Sequence, residues 1–388
     1  MTHATTLRIG LFFDGTGNHA ANALFDDATP SARGGSHASA LTNVHKLCQL
    51  YGGAQAIYVP GIGTEAGQAD SLIGSAFGRG RTGVLARSEY AVAQVRQRLG
   101  ANTVVTVDLF GFSRGAAAAR HCANQLARLQ GVKMGFIGLF DTVAAVAGAV
   151  KLDLHLDPAR FPQVVQLVAR DEHRQHFALA QLCHGHTEIE VPGAHADIGG
   201  GYLALEQEKL LVWPMQALTV GGGTQVHTTS IYRHADQERQ LWLARGWPAE
   251  WLQVITPPAT LVADRNQPPQ KQVYSATQLQ REVRGELSRL YLRVMHAMAV
   301  ARGVPLQAIP AAAEHALPAD LQPLEKRFLG GDFALTEAEE RLLMLNYIHV
   351  SAHWNPPVGL QGNAPRIGTR ALCINAPTPD GIRVRNRH

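Results

Sequence analysis

The segment LFGFSRGAAAAR, residues Leu109–Arg120, places one serine between two glycines where an apolar run meets an alanine-rich run. The apolar run TVVTVDLF predicts a buried strand and the alanine-rich run predicts a helix. Gly-x-Ser-x-Gly between a strand and a helix is typical of a nucleophile elbow, a turn too tight for side chains at Gly111 and Gly115. The helix that follows directs its N-terminal amides at the negative charge of acyl transfer. We therefore predict that Ser113 is a nucleophile and that the Arg114 amide is an oxyanion donor.

A serine nucleophile needs a base, and the base needs a carboxylate that orients it. In the fold that uses a nucleophile elbow, the chain order is Ser, then Asp or Glu, then His. Asp141 follows the apolar run KMGFIGLF, and His195 comes shortly after EIEVPG. Parallel strands bring their carboxyl ends to one edge of a sheet, so we expect Ser113, Asp141 and His195 to lie together.

Other assignments of the acid and the base stay open. Asp141 also suits the N-cap of a following helix. Asp197, in the segment AHADIGGGY, competes for the role of the acid. Its base would then be His349 or His353, because a late histidine is usual in this fold.

The end of the first apolar run offers the second half of an oxyanion hole. LRIGLFF leads into Asp14 and the small residues GTGN. An amide from an early strand loop is the expected second donor, so we predict that Gly15 and Thr16 line this site. A phosphate loop is excluded because no Gly-Lys-Ser/Thr follows. Neither Asp14 nor Asp197 has the spacing of a metal ligand, and the sequence predicts no metal and no cofactor.

The elements around these residues indicate an α/β fold. Apolar strands alternate with helical segments through the first half of the chain, which is typical of a mostly parallel sheet with helices on both faces. We predict an α/β-hydrolase-like catalytic core over residues 1–202, a mostly helical cap or insert over 203–345, and a C-terminal segment over 346–388 that returns to the core. Little strand pattern is visible between Leu203 and Gln322, and residues 278–303 are predicted to form one amphipathic helix.

Two segments are candidates to cover the site. One is the glycine-rich stretch from Gly61 to Gly83, and the other is the predicted helix over residues 278–303. The helix either packs in the core with a solvated basic face or meets anionic headgroups through its arginines. These arginines are Arg281, Arg284, Arg289 and Arg293.

The composition narrows the class of protein. The 388 residues carry a formal net charge of +4, which is too mild to indicate a nucleic-acid partner. The four cysteines lack metal-ligand spacing and indicate a reducing compartment. The first residues lack the pattern of a signal peptide, and no apolar run is long enough to span a bilayer. We expect a protein that is cytoplasmic in its producer and has no cleaved leader.

Three ordered motifs resemble the bacterial α/β-hydrolase family typified by type VI secretion phospholipase effectors. They are FFDGTGN at residues 12–18, GFSRGA at 111–116 and GAHADIGGGY at 193–202. Asp141-Thr142-Val143 and Asp171-Glu172-His173-Arg174 also match the family pattern. Two positions differ, because the family usually has Trp at Phe140 and Ser at Ala196.

The resemblance implies an α/β-hydrolase fold, a Ser-Asp-His triad and a glycerophospholipid ester substrate, as in an antibacterial phospholipase A. It also implies export by a contractile secretion system to the periplasm of a target cell. A secretion-machine spike component and an immunity protein are the implied partners. The same residues would also suit an esterase or acyltransferase on a soluble substrate, or a catalytically inactive hydrolase fold that only binds.

Overall fold

The computed structural model describes residues 5–15, 40–52, 55–61, 83–100, 103–144, 152–262, 268–354, 360–361, 364–365 and 375–388. The predicted oxyanion residue Thr16 lies outside these described residues. So do Cys373 and nearly all of the glycine-rich segment from Gly61 to Gly83 that was a candidate cover.

The first half of the chain builds the main sheet. Its strands are β1 (Thr5–Phe13), β2 (Ala56–Val59), β3 (Thr103–Phe112), β4 (Val132–Phe140), β5 (Val164–Ala169), β6 (Leu179–Gln181) and β7 (Thr187–Val191). All except β6 form one parallel sheet in the order β2-β1-β3-β4-β5-β7. The last six residues of β3 are all buried, as expected of a strand that is covered on both faces.

Helices cover both faces of this sheet. The described residues include α1 (Asn43–Tyr51), α2 (Val84–Arg96), α3 (Arg114–Leu126), α4 (His195–Gly199), α5 (Ser230–Ala244), α6 (Leu287–Val300), α7 (Gln322–Leu329) and α8 (Glu337–Asn346). Side chains alternate along each strand, so Leu11 and Leu109 face α2 and α3 while Phe12 and Phe110 face α1 and α6. The predicted parallel sheet with helices on both faces is confirmed.

A second sheet follows residue 202. Strands β8 (Glu206–Gly221), β9 (Leu252–Ile255), β10 (Thr260–Val262) and β11 (Gln270–Val283) are antiparallel, and β11 pairs with each of the other three. The expectation of little strand pattern between Leu203 and Gln322 is therefore wrong, although helices α5 and α6 lie in the same region.

The prediction of a single helix over residues 278–303 is also wrong for the first part of that range. Residues 278–283 belong to β11, and α6 begins at Leu287. Leu279, Arg281 and Val283 are buried while the residues between them are exposed, which is the two-residue period of a strand. A run this short fits both periods, and pairing with β8 decides the outcome.

The arginines of this segment are paired within the protein. Arg281 is fully buried, and its Nε lies 2.7 Å from the Glu208 carboxylate. Its other nitrogens donate to backbone carbonyls of residues 344, 345 and 348. Arg289 and Arg293 lie 3.5 and 3.1 Å from the carboxylates of Glu286 and Glu325. The headgroup-binding interpretation is therefore wrong for Arg281. It is also weakened for the other three arginines, because Arg284 pairs with Glu286 at 2.7 Å and the charges of Arg289 and Arg293 are paired as well.

The C-terminal residues return to the first half of the chain. Two short strands, β12 (Leu360–Gln361) and β13 (Ala364–Pro365), pair with each other. The last strand, β14 (Arg385–Arg387), pairs in parallel with β6. In the part of the chain that the structure describes, no helix is both long and apolar enough to cross a membrane.

Candidate active site

Ser113 lies in a strained turn between β3 and α3. Its backbone has φ 58° and ψ −128°, which non-glycine residues rarely adopt. A Cβ on Gly111 would lie 2.5 Å from the Cα of Ala116, and a Cβ on Gly115 would overlap the carbonyl oxygen of Asp14. Both glycines are therefore required by space, and the predicted nucleophile elbow has the geometry that the motif needs.

Asp141 follows β4 and is fully buried, also with a positive φ of 44°. Its Oδ2 lies 2.5 Å from Nδ1 of His195, the first residue of α4. Its Oδ1 accepts a hydrogen bond of 2.9 Å from the amide of Ala169, at the end of β5. The carboxylate thus bonds both to the neighbouring strand and to α4, and this places it beside His195.

The contact with Asp141 fixes the proton on His195. An ionised carboxylate can only accept, so Nδ1 must be the donor and Nε2 carries the lone pair. The imidazole is held between two aromatic rings, with its centroid 4.6 Å from Phe112 and 5.0 Å from Phe177. His195 is therefore oriented with its basic nitrogen directed away from Asp141, as a general base requires.

The electrostatics favour the charge state that this chemistry needs. Burial lowers the pKa of His195 and outweighs the opposing effect of Asp141. Burial alone would raise the pKa of Asp141, but the charges of Arg383 and His195 and their hydrogen bonds hold it well below its usual range. Near neutral pH, Asp141 is therefore ionised and His195 is neutral and able to accept a proton.

Asp197 and His349, the alternative acid and base, form a separate pair. Asp197 Oδ1 lies 2.7 Å from Nδ1 of His349, and Oδ2 accepts from the His349 amide at 3.0 Å. The His349 ring stacks on Tyr202 with centroids 3.5 Å apart. His353, the other late histidine, contacts Asn375 through Nε2. The structure thus brings Asp141, not Asp197, to His195.

The predicted oxyanion donors have different surroundings. Arg114 is the first residue of α3, directly after Ser113. The Gly15 amide, in contrast, donates to the Asp14 carboxylate at 2.7 Å. That carboxylate also accepts from Thr42 at 2.8 Å and from Tyr58 at 2.6 Å, while burial raises the pKa of Asp14 to about 6. The role predicted for Gly15 is therefore not supported, because its amide is directed at its own neighbour.

Charged residues that the sequence analysis gave no role surround the Asp141–His195 pair. The Glu172 carboxylate is fully buried, accepts from the His195 amide at 3.3 Å and pairs with Arg174 at 2.8 Å. Arg383, from the C-terminal segment, donates to both oxygens of Asp141. Glu172 and Arg174 fall in a recognised motif, whereas an isolated arginine 242 residues from Asp141 carries no sequence signal. Within the described ranges, no group of three or more His, Cys, Asp or Glu residues could hold a metal ion.

Comparison with solved structures identifies a similar protein over the whole chain. The Tle1 effector bound to the VgrG spike of the Type 6 secretion system aligns with a TM-score of 0.76 and 27% sequence identity, covering 100% of this chain and 95% of that one. This similarity confirms the predicted resemblance to type VI secretion effectors and the α/β-hydrolase-like fold class.

A more distant structure also aligns. It is an uncharacterized protein from Pseudomonas aeruginosa, with a TM-score of 0.44 and 18% identity, covering 87% of this chain and 52% of that one. The similarity is too low to support an argument. No protein-family model matches the chain, and no curated protein matches it.

Proposed function

We propose that this protein is a serine ester hydrolase of the lipolytic kind, a phospholipase A that cleaves acyl esters of glycerophospholipids. One observation carries the proposal: Ser113 lies in a strained strand-to-helix turn on the sheet edge where Asp141 bonds to His195 at 2.5 Å. The similarity over the whole chain to an effector of the same fold supports it.

In the proposed reaction, His195 Nε2 accepts the Ser113 hydroxyl proton as Oγ attacks the ester carbonyl carbon. The carbonyl oxygen becomes an oxyanion, to which the amide of Arg114 donates. Asp141 stabilises the imidazolium, which then gives its proton to the departing alkoxide of the lysophospholipid. Water, deprotonated by His195, then attacks the acyl-enzyme. The imidazolium returns that proton to Ser113 Oγ as the fatty acid leaves.

The proposed biological setting follows from the solved neighbour. That effector is bound to a VgrG spike. We extend this to export of the present chain by a type VI secretion system, with a spike component as partner and the phospholipids of a target cell as substrate. Delivery to the periplasm and an immunity protein in the producing cell complete the proposal, as the family resemblance implies.

A lipid panel tests the reaction and the substrate class. Wild-type protein and Ser113→Ala are incubated with vesicles of defined phospholipids and with a soluble short-chain ester, and the products are identified by mass spectrometry. We expect free fatty acid and lysophospholipid from wild type and neither from Ser113→Ala. Turnover of the soluble ester that does not rise with aggregated lipid would instead indicate an esterase. No turnover of any ester would indicate a module that only binds.

A further inference from the structure

Arg383 reaches the triad acid from the far end of the chain. Its Nη1 and Nη2 donate to Oδ1 and Oδ2 of Asp141 at 2.7 and 2.8 Å, a two-bond fork that fits a carboxylate plane. Its Nε donates to the carbonyl of Phe177 at 2.7 Å, which fixes the guanidinium itself. The Arg383 side chain is 4% exposed and that of Asp141 is 0% exposed.

This fork adds two of the four bonds that hold the carboxylate in its plane. Without Arg383, the described protein donors to the Asp141 carboxylate are the Ala169 amide and His195 itself. Those two bonds reach one oxygen each, so the carboxylate could rotate away from the imidazole. Because the whole cluster is buried, no bulk solvent would take the place of the lost donors.

The C-terminal segment does not depend on this contact for its attachment. Backbone hydrogen bonds join Gln175 to Ala376, Thr378 to His173 and Leu179 to Val384. The strand β14 adds its pairing with β6. The segment is therefore held on both sides of Arg383, and a substitution of this side chain should leave it in place.

Several charged groups lie around the Asp141–His195 pair. Arg383 and His195 both contact Oδ2 of the Asp141 carboxylate, so the positive charge of Arg383 offsets part of the attraction between Asp141 and an imidazolium. The other charged groups that face the cluster are Glu172 and Arg174, which precede β6, and Glu190 in β7. Removing Arg383 would leave the carboxylate less anchored and the imidazolium more stable.

We propose that Arg383 is a positioning residue, whose guanidinium holds the Asp141 carboxylate in the plane that the Nδ1 proton of His195 requires. The inference rests on the proposed function, in which the Asp141–His195 pair activates Ser113. It gives one side chain of the C-terminal segment a role at the Asp141–His195 pair. Arg383 acts through Asp141 and touches neither substrate nor the reacting atoms.

Three full-length variants test this role. Arg383→Gln removes the charge and the fork, and Arg383→Lys keeps the charge without the fork. Arg385→Gln is the matched control, because Arg385 lies on the same segment and pairs with Glu190 instead of Asp141. Each is assayed for kcat and KM on a soluble ester across pH and for the rate of covalent labelling of Ser113 by a fluorophosphonate. Circular dichroism follows the folded fraction, and the Nδ1 proton of His195 is observed by NMR.

We expect Arg383→Gln to lose about 10²-fold in kcat, the loss that a small misplacement can cause, with KM near that of wild type. The acidic limb of its pH–rate profile should move to higher pH, because a cation beside the Asp141–His195 pair is gone. The His195 proton signal should shift. Arg383→Lys should keep the acid limb and regain part of the rate, and Arg385→Gln should match wild type.

An unchanged kcat, an acid limb that stays or falls, or an equal loss in Arg385→Gln would overturn the proposal. A loss of kcat in Arg383→Gln that is proportional to the loss of folded protein would also overturn it. If wild-type protein neither labels nor cleaves any ester, the proposed function fails instead. The NMR signal then decides the positioning role alone, since it reports the hydrogen bond between His195 and Asp141 without turnover.

Discussion

Ser113 and Asp141 share an unusual backbone. Among the described residues, they are the two non-glycine positions with positive φ. Such conformations cost on the order of 1–3 kcal/mol each and persist where the surrounding structure enforces them. Ser113 is held by its amide hydrogen bond of 3.1 Å to the Phe140 carbonyl, and the Asp141 amide bonds to the Leu167 carbonyl at 2.8 Å. The strained backbone thus occurs at the two residues whose side chains the proposed chemistry needs in fixed directions.

The close contact at Gly115 gives a prediction about stability. In Gly115→Ala, the new Cβ would overlap the Asp14 carbonyl oxygen, so β1 and α3 must move apart. We expect a loss of about 1–3 kcal/mol in the free energy of unfolding by urea, together with a lower kcat. Gly223→Ala is the matched control, because nothing lies within 4 Å of its added Cβ. Equal stability of the two variants would contradict a role for space at Gly115.

The charge state of His195 predicts the pH dependence of catalysis. Protonated His195 cannot accept the proton of Ser113, so kcat/KM should fall as the pH drops through the pKa of His195. Burial lowers that pKa from its ordinary value of 6.5. We expect the midpoint of the acid limb below about 6.5, measured on a soluble ester whose own ionisation is constant. A midpoint above 7 would contradict the assignment of His195 as a buried neutral base.

At the residue scale, the sequence carries much of the site. The elbow motif and the strand-end positions predicted that Asp141 and His195 meet beside Ser113. In the structure, Asp141 and His195 are in contact. The ion pair of Arg383 with Asp141 could not be predicted, because a single arginine has no local pattern. Likewise, the loss of the Gly15 amide to Asp14 depends on a side-chain rotamer that sequence does not encode.

At the scale of elements, the short helix α4 connects two different Asp–His pairs. His195, at its start, bonds to Asp141 of the main sheet. Asp197, two residues later, bonds to His349 in the segment after α8 and also accepts from the Ala194 amide at 2.9 Å. The second pair therefore anchors the helix that carries the proposed base, while taking no part in the proposed proton transfer.

This second pair predicts a pH-dependent stability. Burial opposes protonation of His349, but the charge and hydrogen bond of Asp197 outweigh it, together with Glu208 and Glu206, so its pKa is raised above 6.5. The stabilisation is fully present below pH 6.5 and is lost as the pH rises through the raised pKa. We expect His349→Ala to lower the free energy of unfolding by about 3 kcal/mol below pH 6.5 and by less at alkaline pH.

The matched control for this prediction is His353→Ala. Burial lowers the pKa of His353, so its substitution should not become more costly as the pH falls. Urea unfolding of both variants and of wild type at several pH values gives the comparison. A cost for His349→Ala that is the same at every pH would contradict a charged Asp197–His349 pair.

The prediction of secondary structure failed where the sequence fits both the helical and the strand period. The run from Leu279 to Val283 alternates as a strand does, and the apolar residues of α6 that follow extend a helical pattern through it. The partner strand β8 lies more than fifty residues earlier in the chain, so no local window reveals the pairing. The mostly apolar β3, in contrast, was predicted correctly because its C-terminal six residues are all buried, as expected of a strand that is covered on both faces.

At the scale of the whole molecule, the second half of the chain is part of the main core. Apolar residues of α6, α7 and α8 pack with the aromatic residues of β1 and β3 on one face of the parallel sheet. Asn43, in α1, donates to backbone carbonyls of both Ile198 and Ser288. Arg170 forms a two-bond pair with Glu340 at 2.6 and 2.7 Å. The region predicted as a cap thus supports the sheet edge that carries the site.

Covalent labelling can show whether Ser113 is an activated nucleophile without knowledge of the natural lipid. Wild-type protein, Ser113→Ala and His195→Ala are treated with a fluorophosphonate, and the adduct is located by peptide mass spectrometry. We expect one stoichiometric adduct on Ser113 in wild type, none in Ser113→Ala, and labelling slowed by about 10³-fold or more in His195→Ala. A folded wild-type protein that stays unlabelled, or an equal labelling rate in His195→Ala, would contradict the proposed roles of Ser113 and His195.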